Sequence, residues 1–168
     1  MIILETQRLV LREWQMSDAA LVLQLLNDPG WLRFIGDRGI KNLPQAEAYI
    51  RDSLRKSYVD HGFGLYAIER KEDGAIVGMC GLIKRPQLDD VDIGYALLEQ
   101  YTGQAYALEA AEACLEYGLY RLNIPRILAI TDPDNARSIH LLQKLGMTFE
   151  KKLQIFAGEI TSLFAINA

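Results

Sequence analysis

The chain has 168 residues, of which 50% are apolar and 24% charged, a balance typical of a soluble globular protein that forms one domain over residues 1–168. Its formal net charge of −4 argues against nucleic acid or an anionic membrane surface as the main partner. The two cysteines have no metal-ligand spacing, and no apolar run has the length of a membrane span or of the core of a signal peptide. We therefore expect a cytoplasmic protein without a bound metal.

Hydrophobic periodicity, caps and turn signals predict an alternation of strands and helices along the whole chain. In chain order, the predicted elements are strand 9–14, helix 17–27, a helix that begins at Pro44, strands 63–70, 75–83 and 91–98, helix 104–122, strand 126–131, a helix that ends at Leu145, and strands 149–156 and 160–166. This order predicts an α/β fold, with a mixed sheet and helices on its faces.

Residues 100–110, Gln-Tyr-Thr-Gly-Gln-Ala-Tyr-Ala-Leu-Glu-Ala, are the most informative segment. They join a predicted strand to a long predicted helix, and a helix start offers unpaired backbone N–H groups and the positive end of its dipole to an anion. Gly103 and Ala105 are small enough for the backbone to approach a phosphate closely. A plain tight turn is the alternative interpretation of these two residues.

Three separated segments together resemble one known family. They are Glu5-Thr-x-Arg-Leu-x-Leu-Arg12, then Asp92-Ile-Gly-Tyr-x-Leu97 with the turn at Gly103, and Asn135-x-x-Ser138 followed by Lys144-Leu-Gly146. In this order they resemble the GNAT superfamily of acetyl-CoA-dependent N-acetyltransferases, and within it the RimJ/RimL-type branch. The resemblance implies a single-domain GNAT-like fold, with a mixed central sheet of about six to seven strands flanked by about four helices.

The resemblance also implies where acetyl-CoA binds. The strand that begins at Asp92 is expected to separate from its neighbour and to pair its free backbone groups with the peptide-like pantetheine arm, and backbone N–H groups from Thr102 to Ala107 are expected to hold the pyrophosphate. The implied cofactor-binding residues are Ile93, Tyr95, Leu97, Gln100, Thr102, Gly103, Gln104, Ala105, Tyr106, Ala107, Asn135 and Lys144. For Lys144, a solvated lysine at a helix C-terminus is the alternative.

The implied catalytic residues are Asp92, Ser138 and Asn135. An alkylamine must lose a proton before it attacks a thioester, and Asp92 is the candidate base, directly or through water. The Ser138 hydroxyl is the candidate donor to the leaving thiolate, and Asn135 positions the arm or only caps its helix. A tyrosine that some relatives use as general acid is missing, because Leu142 stands there. The alternative for Asp92 is a surface carboxylate on an edge strand.

The acceptor is expected to bind at residues 31–35, an aromatic and basic segment between two helices, which gives Trp31, Arg33 and Phe34 as candidate substrate-binding residues. A hydrophobic plug under a loop is the alternative. The resemblance implies transfer of acetyl to a primary amine, such as a peptide N-terminal amino group, in a monomer or homodimer. A small-molecule amine as acceptor, and a non-catalytic module that binds acyl-CoA, stay open as alternatives.

Overall fold

In the computed structural model, which describes residues 1–156 and 158–168, one sheet of eight strands organises the chain. The spatial order is β1-β2-β3-β4-β5-β6-β8-β7, and only β5 and β6 are parallel neighbours among the described strands. The strands are β1 (Ile2–Glu5), β2 (Leu9–Arg12), β3 (Leu65–Arg70), β4 (Ile76–Ile83), β5 (Asp92–Leu97), β6 (Arg126–Thr131), β7 (Thr148–Phe156) and β8 (Glu159–Asn167).

The predicted α/β fold with a mixed sheet is confirmed, with one more strand than the expected maximum. The additional strand is β1, whose Glu5 pairs with Val10 of β2 in an antiparallel hairpin. Ala157, at the predicted turn between the last two strands, lies outside the described residues.

Six α-helices flank this sheet in the described part of the chain, where about four were expected. They are α1 (Ala19–Leu26), α2 (Pro29–Phe34), α3 (Leu43–Tyr49), α4 (Arg55–His61), α5 (Tyr106–Glu116) and α6 (Ala136–Lys144). A π-helical turn, Ile50–Leu54, connects α3 and α4, so one predicted helix is counted as two. None of the helices in these residues has both the length and the apolar character that a bilayer crossing needs.

The short helix α2 lies in the segment between two predicted helices, where no helix was predicted. The Asp28 carboxylate accepts a hydrogen bond from the Gly30 N–H at 3.4 Å, and Pro29 occupies the first helical turn. Both features are typical of a helix N-terminus. Asp28 and Pro29, which directly follow the predicted helix 17–27, therefore start a new helix.

The two faces of the sheet carry different helices. On one face Ala110, Ala111 and Cys114 of α5 pack into a core cluster with Cys80 of β4 and Ile93 of β5. On the other face α1 and α3 pack over β3 and β4 around the fully buried Trp14. The sheet is thus covered on both sides where β4 and β5 lie, and these strands provide a rigid support for the turn that follows β5.

The parallel strands β5 and β6 separate soon after they meet. Asp92 and Leu128 are the paired residues described between them, and the Leu128 N–H donates to the Val91 carbonyl at 2.8 Å. On its other side β5 pairs with β4 along its whole length, from Asp92 to Leu97. Beyond Asp92, backbone groups of β5 that would bond to β6 therefore face an opening. Such groups require a partner other than the neighbouring strand.

Candidate active site

The opening between β5 and β6 brings together most of the predicted cofactor residues. Ile93, Tyr95 and Leu97 lie on β5 beyond the point of separation, as the resemblance implied. The turn to α5 follows directly, while Asn135 and Ser138 lie at the start of α6, which follows β6. The opening is bounded by β5 and its turn on one side and by β6 and α6 on the other.

The turn after β5 has the backbone conformation of an anion-binding nest. Gly103 and Ala105 both have positive φ values, +82° and +64°, with Gln104 between them. The Thr102 N–H already donates to the Glu99 carbonyl at 3.2 Å. Within α5, the first N–H that has a backbone acceptor is that of Glu109, which donates to the Ala105 carbonyl. The free donors therefore begin at Gly103 rather than at Thr102, and they extend into the first turn of α5.

The space in front of the turn is open. A Cβ atom placed on Gly103 would have no heavy atom within 4 Å. Gln100, Gly103, Gln104 and Ala105 are exposed, whereas Tyr106 is buried under the turn. An anion can thus approach the free N–H groups without displacing a side chain, and the positive end of α5 favours it there.

Residues of the N-terminal segment form hydrogen bonds to α5 and to this turn. The Glu109 carboxylate on α5 accepts hydrogen bonds from the Thr6 hydroxyl at 2.5 Å, the Arg8 N–H at 2.9 Å and the Arg8 Nε at 2.7 Å. A further Arg8 nitrogen donates to the Gln104 carbonyl at 3.0 Å. Burial alone would raise the pKa of Glu109, but these hydrogen bonds and the Arg8 charge outweigh it, so the pKa lies below its ordinary value. Thr6 and Arg8 belonged to the resembling segments, but the pattern did not reveal this anchoring role.

A hydrogen bond connects the two sides of the opening. The Tyr95 phenol on β5 lies 2.6 Å from the Ser138 hydroxyl on α6. The Ser138 N–H donates to the Asn135 side-chain oxygen at 3.1 Å, so Asn135 caps α6. Burial raises the pKa of the Tyr95 phenol to about 12, although the hydrogen bond to Ser138 opposes that shift. Leu142 is fully buried, and Lys144 is exposed in the last turn of α6.

Asp92 is not a surface carboxylate. It is fully buried in the centre of the sheet, and both of its oxygens accept hydrogen bonds from the Arg85 guanidinium at 2.8 Å. The alternative of an edge-strand surface residue is therefore wrong, since β5 has a neighbour on each side at this point. Burial raises the pKa of Asp92 above its ordinary value, and the Arg85 charge opposes that shift without cancelling it. Sequence reasoning missed Arg85, because nothing in its local pattern marks it as a partner of Asp92.

The predicted acceptor residues are only partly accessible. Trp31 is 5% exposed and packs into the core with α1 and α3, which matches the hydrophobic plug better than an open pocket wall. Arg33 is exposed, and its guanidinium carbon lies 4.6 Å from the centre of the half-buried Phe34 ring. The Asp28 carboxylate accepts the Glu99 N–H at 3.2 Å, which fixes the start of α2 beside the turn after β5.

Comparison with known proteins identifies the family. Residues 8–148 match the model of the acetyltransferase (GNAT) domain. The chain belongs to the GNAT family of N-acetyltransferases. The relative named "Uncharacterized N-acetyltransferase p20", from Bacillus licheniformis, is 30% identical over 90% of this chain and 85% of its own. The spermidine N(1)-acetyltransferase of Escherichia coli strain K12 is 25% identical over 94% of this chain and 78% of its own.

A solved structure of RimL, a ribosomal L7/L12 alpha-N-protein acetyltransferase in complex with coenzyme A, has the same fold. It superposes with a TM-score of 0.83 at 19% identity and covers 99% of this chain and 98% of its own. The GNAT family uses acetyl-CoA, and the residues described above fit this cosubstrate, because free backbone donors and unpaired strand edges face one open space. The described side chains contain no group of three or more His, Cys, Asp or Glu residues that could hold a metal ion.

Proposed function

We propose that this GNAT enzyme acetylates a primary amine as a member of the RimJ/RimL-type branch, and that a peptide N-terminal amino group is its acceptor. The observation on which the proposal rests is the separation of β5 from β6 beyond Asp92, directly before a turn with free backbone donors. Strand edges that face an opening suit a peptide-like arm, and a helix start preceded by a nest suits a pyrophosphate.

Acetyl-CoA supplies an acetyl thioester, which an amine can attack. The backbone of Ile93, Tyr95 and Leu97 holds the pantetheine arm, and the N–H groups from Gly103 to Ala107 hold the pyrophosphate. A backbone N–H near Leu97 faces the negative charge that develops on the carbonyl oxygen. Further contacts to the cosubstrate are assigned to the side chains of Gln100, Thr102, Asn135 and Lys144.

Asp92 receives the proton of the attacking amine through water in this proposal. A direct contact is disfavoured, because Asp92 is fully buried and Arg85 engages both of its oxygens. Its raised pKa brings the carboxylate closer to the range in which general bases work near neutral pH. The Ser138 hydroxyl donates a hydrogen bond to the sulfur that leaves, and Asn135 keeps Ser138 in place through the cap of α6.

Charge favours a peptide over a polyamine as acceptor. The exposed Arg33 lies on α2, whose start is fixed beside the cofactor turn by the hydrogen bond between Asp28 and Glu99. An exposed cation in the last turn of this helix disfavours a substrate with several positive charges relative to a peptide with one. The name of the Escherichia coli relative favours the second candidate, a polyamine such as spermidine.

Calorimetry with acetyl-CoA, followed by an acceptor panel read by thiol release, tests the proposal. The panel contains a peptide with a free N-terminus, the same peptide with a blocked N-terminus, spermidine and an aminoglycoside. We expect acetyl-CoA to bind with a Kd between about 1 µM and 1 mM, and the free peptide alone to release thiol above background. If spermidine releases thiol and the free peptide stays at background, the acceptor is a polyamine and not a peptide. Binding without turnover of any acceptor would favour the non-catalytic alternative.

A further inference from the structure

The contact between Tyr95 and Ser138 joins two elements that the sheet itself leaves apart. Tyr95 lies on β5 beyond the last pairing with β6, and Ser138 lies in α6, which follows β6. Their side-chain oxygens are 2.6 Å apart, a short distance for two neutral hydroxyl groups. The bond therefore crosses the opening where the proposed function locates the leaving sulfur.

Either hydroxyl can donate in this bond, and the direction determines what Ser138 can offer to a ligand. Tyr95 is half-buried and packs against the core cluster beneath α5, so its ring has little freedom to turn away. Its phenol has a pKa raised to about 12 by burial, so it keeps its proton throughout the neutral range and is available as a donor. If Tyr95 donates to the Ser138 oxygen, the Ser138 hydrogen is free to point into the opening. In the opposite arrangement the Ser138 hydroxyl donates to Tyr95 and the phenol donates to the Ser138 carbonyl, 3.5 Å away, which would leave no hydrogen on Ser138 for a ligand.

We infer that Tyr95 is a positioning residue for catalysis, whose phenol donates to Ser138 and so directs the Ser138 hydrogen at the leaving sulfur. The inference rests on the proposed function of the same site. Two hydroxyls in series polarise each other, so the terminal hydrogen bond is stronger than that of an isolated serine. The side chain of Tyr95 thus acts through Ser138, in addition to the backbone role of this residue.

The covalent bonds that form and break in the acetyl transfer balance without any proton transfer from Tyr95 or Ser138. The bond between the amine nitrogen and the acetyl carbon forms, and the bond between that carbon and sulfur breaks, with its electron pair going to sulfur. The substrate enters as an ammonium ion, so its nitrogen loses two protons: the first leaves through water to Asp92 before the attack, and the second passes to solvent once the new bond has formed. The sulfur leaves as a thiolate, which accepts the hydrogen bond of Ser138 and takes a proton from solvent after release.

A double-mutant cycle separates this role from a structural one. We expect Tyr95→Phe to lower kcat about 10-fold and Ser138→Ala about 10- to 1000-fold. Because Tyr95 acts through Ser138, the double variant should have the kcat of Ser138→Ala alone. Tyr66→Phe removes another buried phenol from the same core cluster and should leave kcat unchanged. Losses that multiply in the double variant would overturn the inference.

The pKa of the thiol of bound coenzyme A gives a readout besides activity. It can be titrated by the ultraviolet absorbance of the thiolate, as a difference between complexes with coenzyme A and with its analogue that lacks sulfur. We expect a bound pKa below that of free coenzyme A in the same buffer, and a rise in both Tyr95→Phe and Ser138→Ala. An unchanged thiol pKa in Tyr95→Phe would overturn this inference and leave the proposed function standing. If wild-type protein gave no calorimetric signal with coenzyme A, the proposed function would fail, and this inference with it.

Discussion

Arg85 and Asp92 form a buried pair in which two guanidinium nitrogens each lie 2.8 Å from a different carboxylate oxygen. The Asp92 side chain is 1% exposed and that of Arg85 is 19% exposed. The pair lies at the residue where β5 and β6 separate, since Asp92 is also the pairing partner of Leu128. The proposed base therefore also helps to hold the sheet at the vertex of the opening, and any substitution of Asp92 affects both functions.

A paired substitution separates the two roles of Asp92. Asp92→Asn leaves the Arg85 charge without its partner, and we expect a loss of about 3–5 kcal/mol in the free energy of unfolding. The double variant Arg85→Gln/Asp92→Asn removes both charges and should recover most of that loss. If Asp92 is the base, the double variant still turns over about 10- to 1000-fold more slowly while binding acetyl-CoA with nearly wild-type affinity. Urea unfolding and thiol release on the same samples check both expectations. Wild-type turnover by the stable double variant would remove Asp92 from the mechanism.

Gly103 should be required for cosubstrate binding, beyond its effect on backbone strain. Gly103 and Gly74, in the turn between β3 and β4, both have positive φ, and a Cβ on either would meet no atom within 4 Å. Replacement of either by alanine should therefore cost a similar free energy of unfolding, about 1 kcal/mol. Only Gly103→Ala should weaken acetyl-CoA binding, because its methyl group enters the proposed phosphate space, and the bulkier Gly103→Val should weaken it further. Calorimetry on all three variants measures this, and equal affinities in the Gly103 and Gly74 variants would contradict it.

The Ser138 hydroxyl should contribute to turnover and little to affinity. We expect Ser138→Ala to lower kcat about 10- to 1000-fold at saturating acceptor, with the Kd of acetyl-CoA nearly unchanged. Ser57→Ala is the matched control, since it removes a hydroxyl that donates to the Phe63 carbonyl at 2.7 Å, far along the chain from α6. That variant should lose some stability and keep its turnover. A wild-type rate for Ser138→Ala would show that the serine is not the donor.

The sequence predicted the elements with strong local signals and missed those that depend on distant partners. β6 has the predicted bounds, Arg126–Thr131, because a β-branched apolar run between a proline and an Asp-Pro turn admits few alternatives. Short elements were harder, since β1 is stabilised by pairing with β2 and α2 by the Asp28 cap, neither of which a periodicity can reveal.

In the candidate site too, features with a local signal were predicted and features that depend on distant partners were missed. Local pattern and resemblance indicated the turn at Gly103 and the cap at Asn135, and the structure has the turn and the cap there. The partner of Asp92 could not be predicted, because Arg85 lies on a loop with no distinctive spacing and meets Asp92 only through the pairing of β4 with β5. The sequence pattern likewise gave no indication that Glu109 of α5 is the residue that Thr6 and Arg8 bind.

The lowered pKa of Glu109 predicts how the free energy of unfolding changes with pH. Its pKa in the folded protein lies below its ordinary value of 4.5, so its contribution is present above about that pH and is lost as the pH falls through the lowered pKa. Glu109→Gln should therefore be less stable than wild type at pH 7, and the difference should shrink on acidification below pH 4.5. Urea unfolding midpoints between neutral and acidic pH measure this. Glu112→Gln, an exposed substitution on the same helix, should stay within about 0.5 kcal/mol of wild type at neutral pH. A stability difference for Glu109→Gln that persists undiminished into acid would contradict the proposed anchor.

Arg33 should determine which amine is preferred. Replacement by glutamate reverses the charge on α2 beside the cofactor turn, while the side chain stays exposed and outside the core. If this charge repels polycations, Arg33→Glu should raise kcat/KM for spermidine by about 10-fold, a range typical of electrostatic steering. Activity on a peptide with an acidic second residue should fall by a similar factor, and high salt should reduce both effects because it screens exposed charges. Lys56→Glu makes the same charge reversal on α4 and serves as the control for overall charge. Equal changes in the two variants, or none in either, would mean that α2 does not select the acceptor and that another surface of the opening must do so.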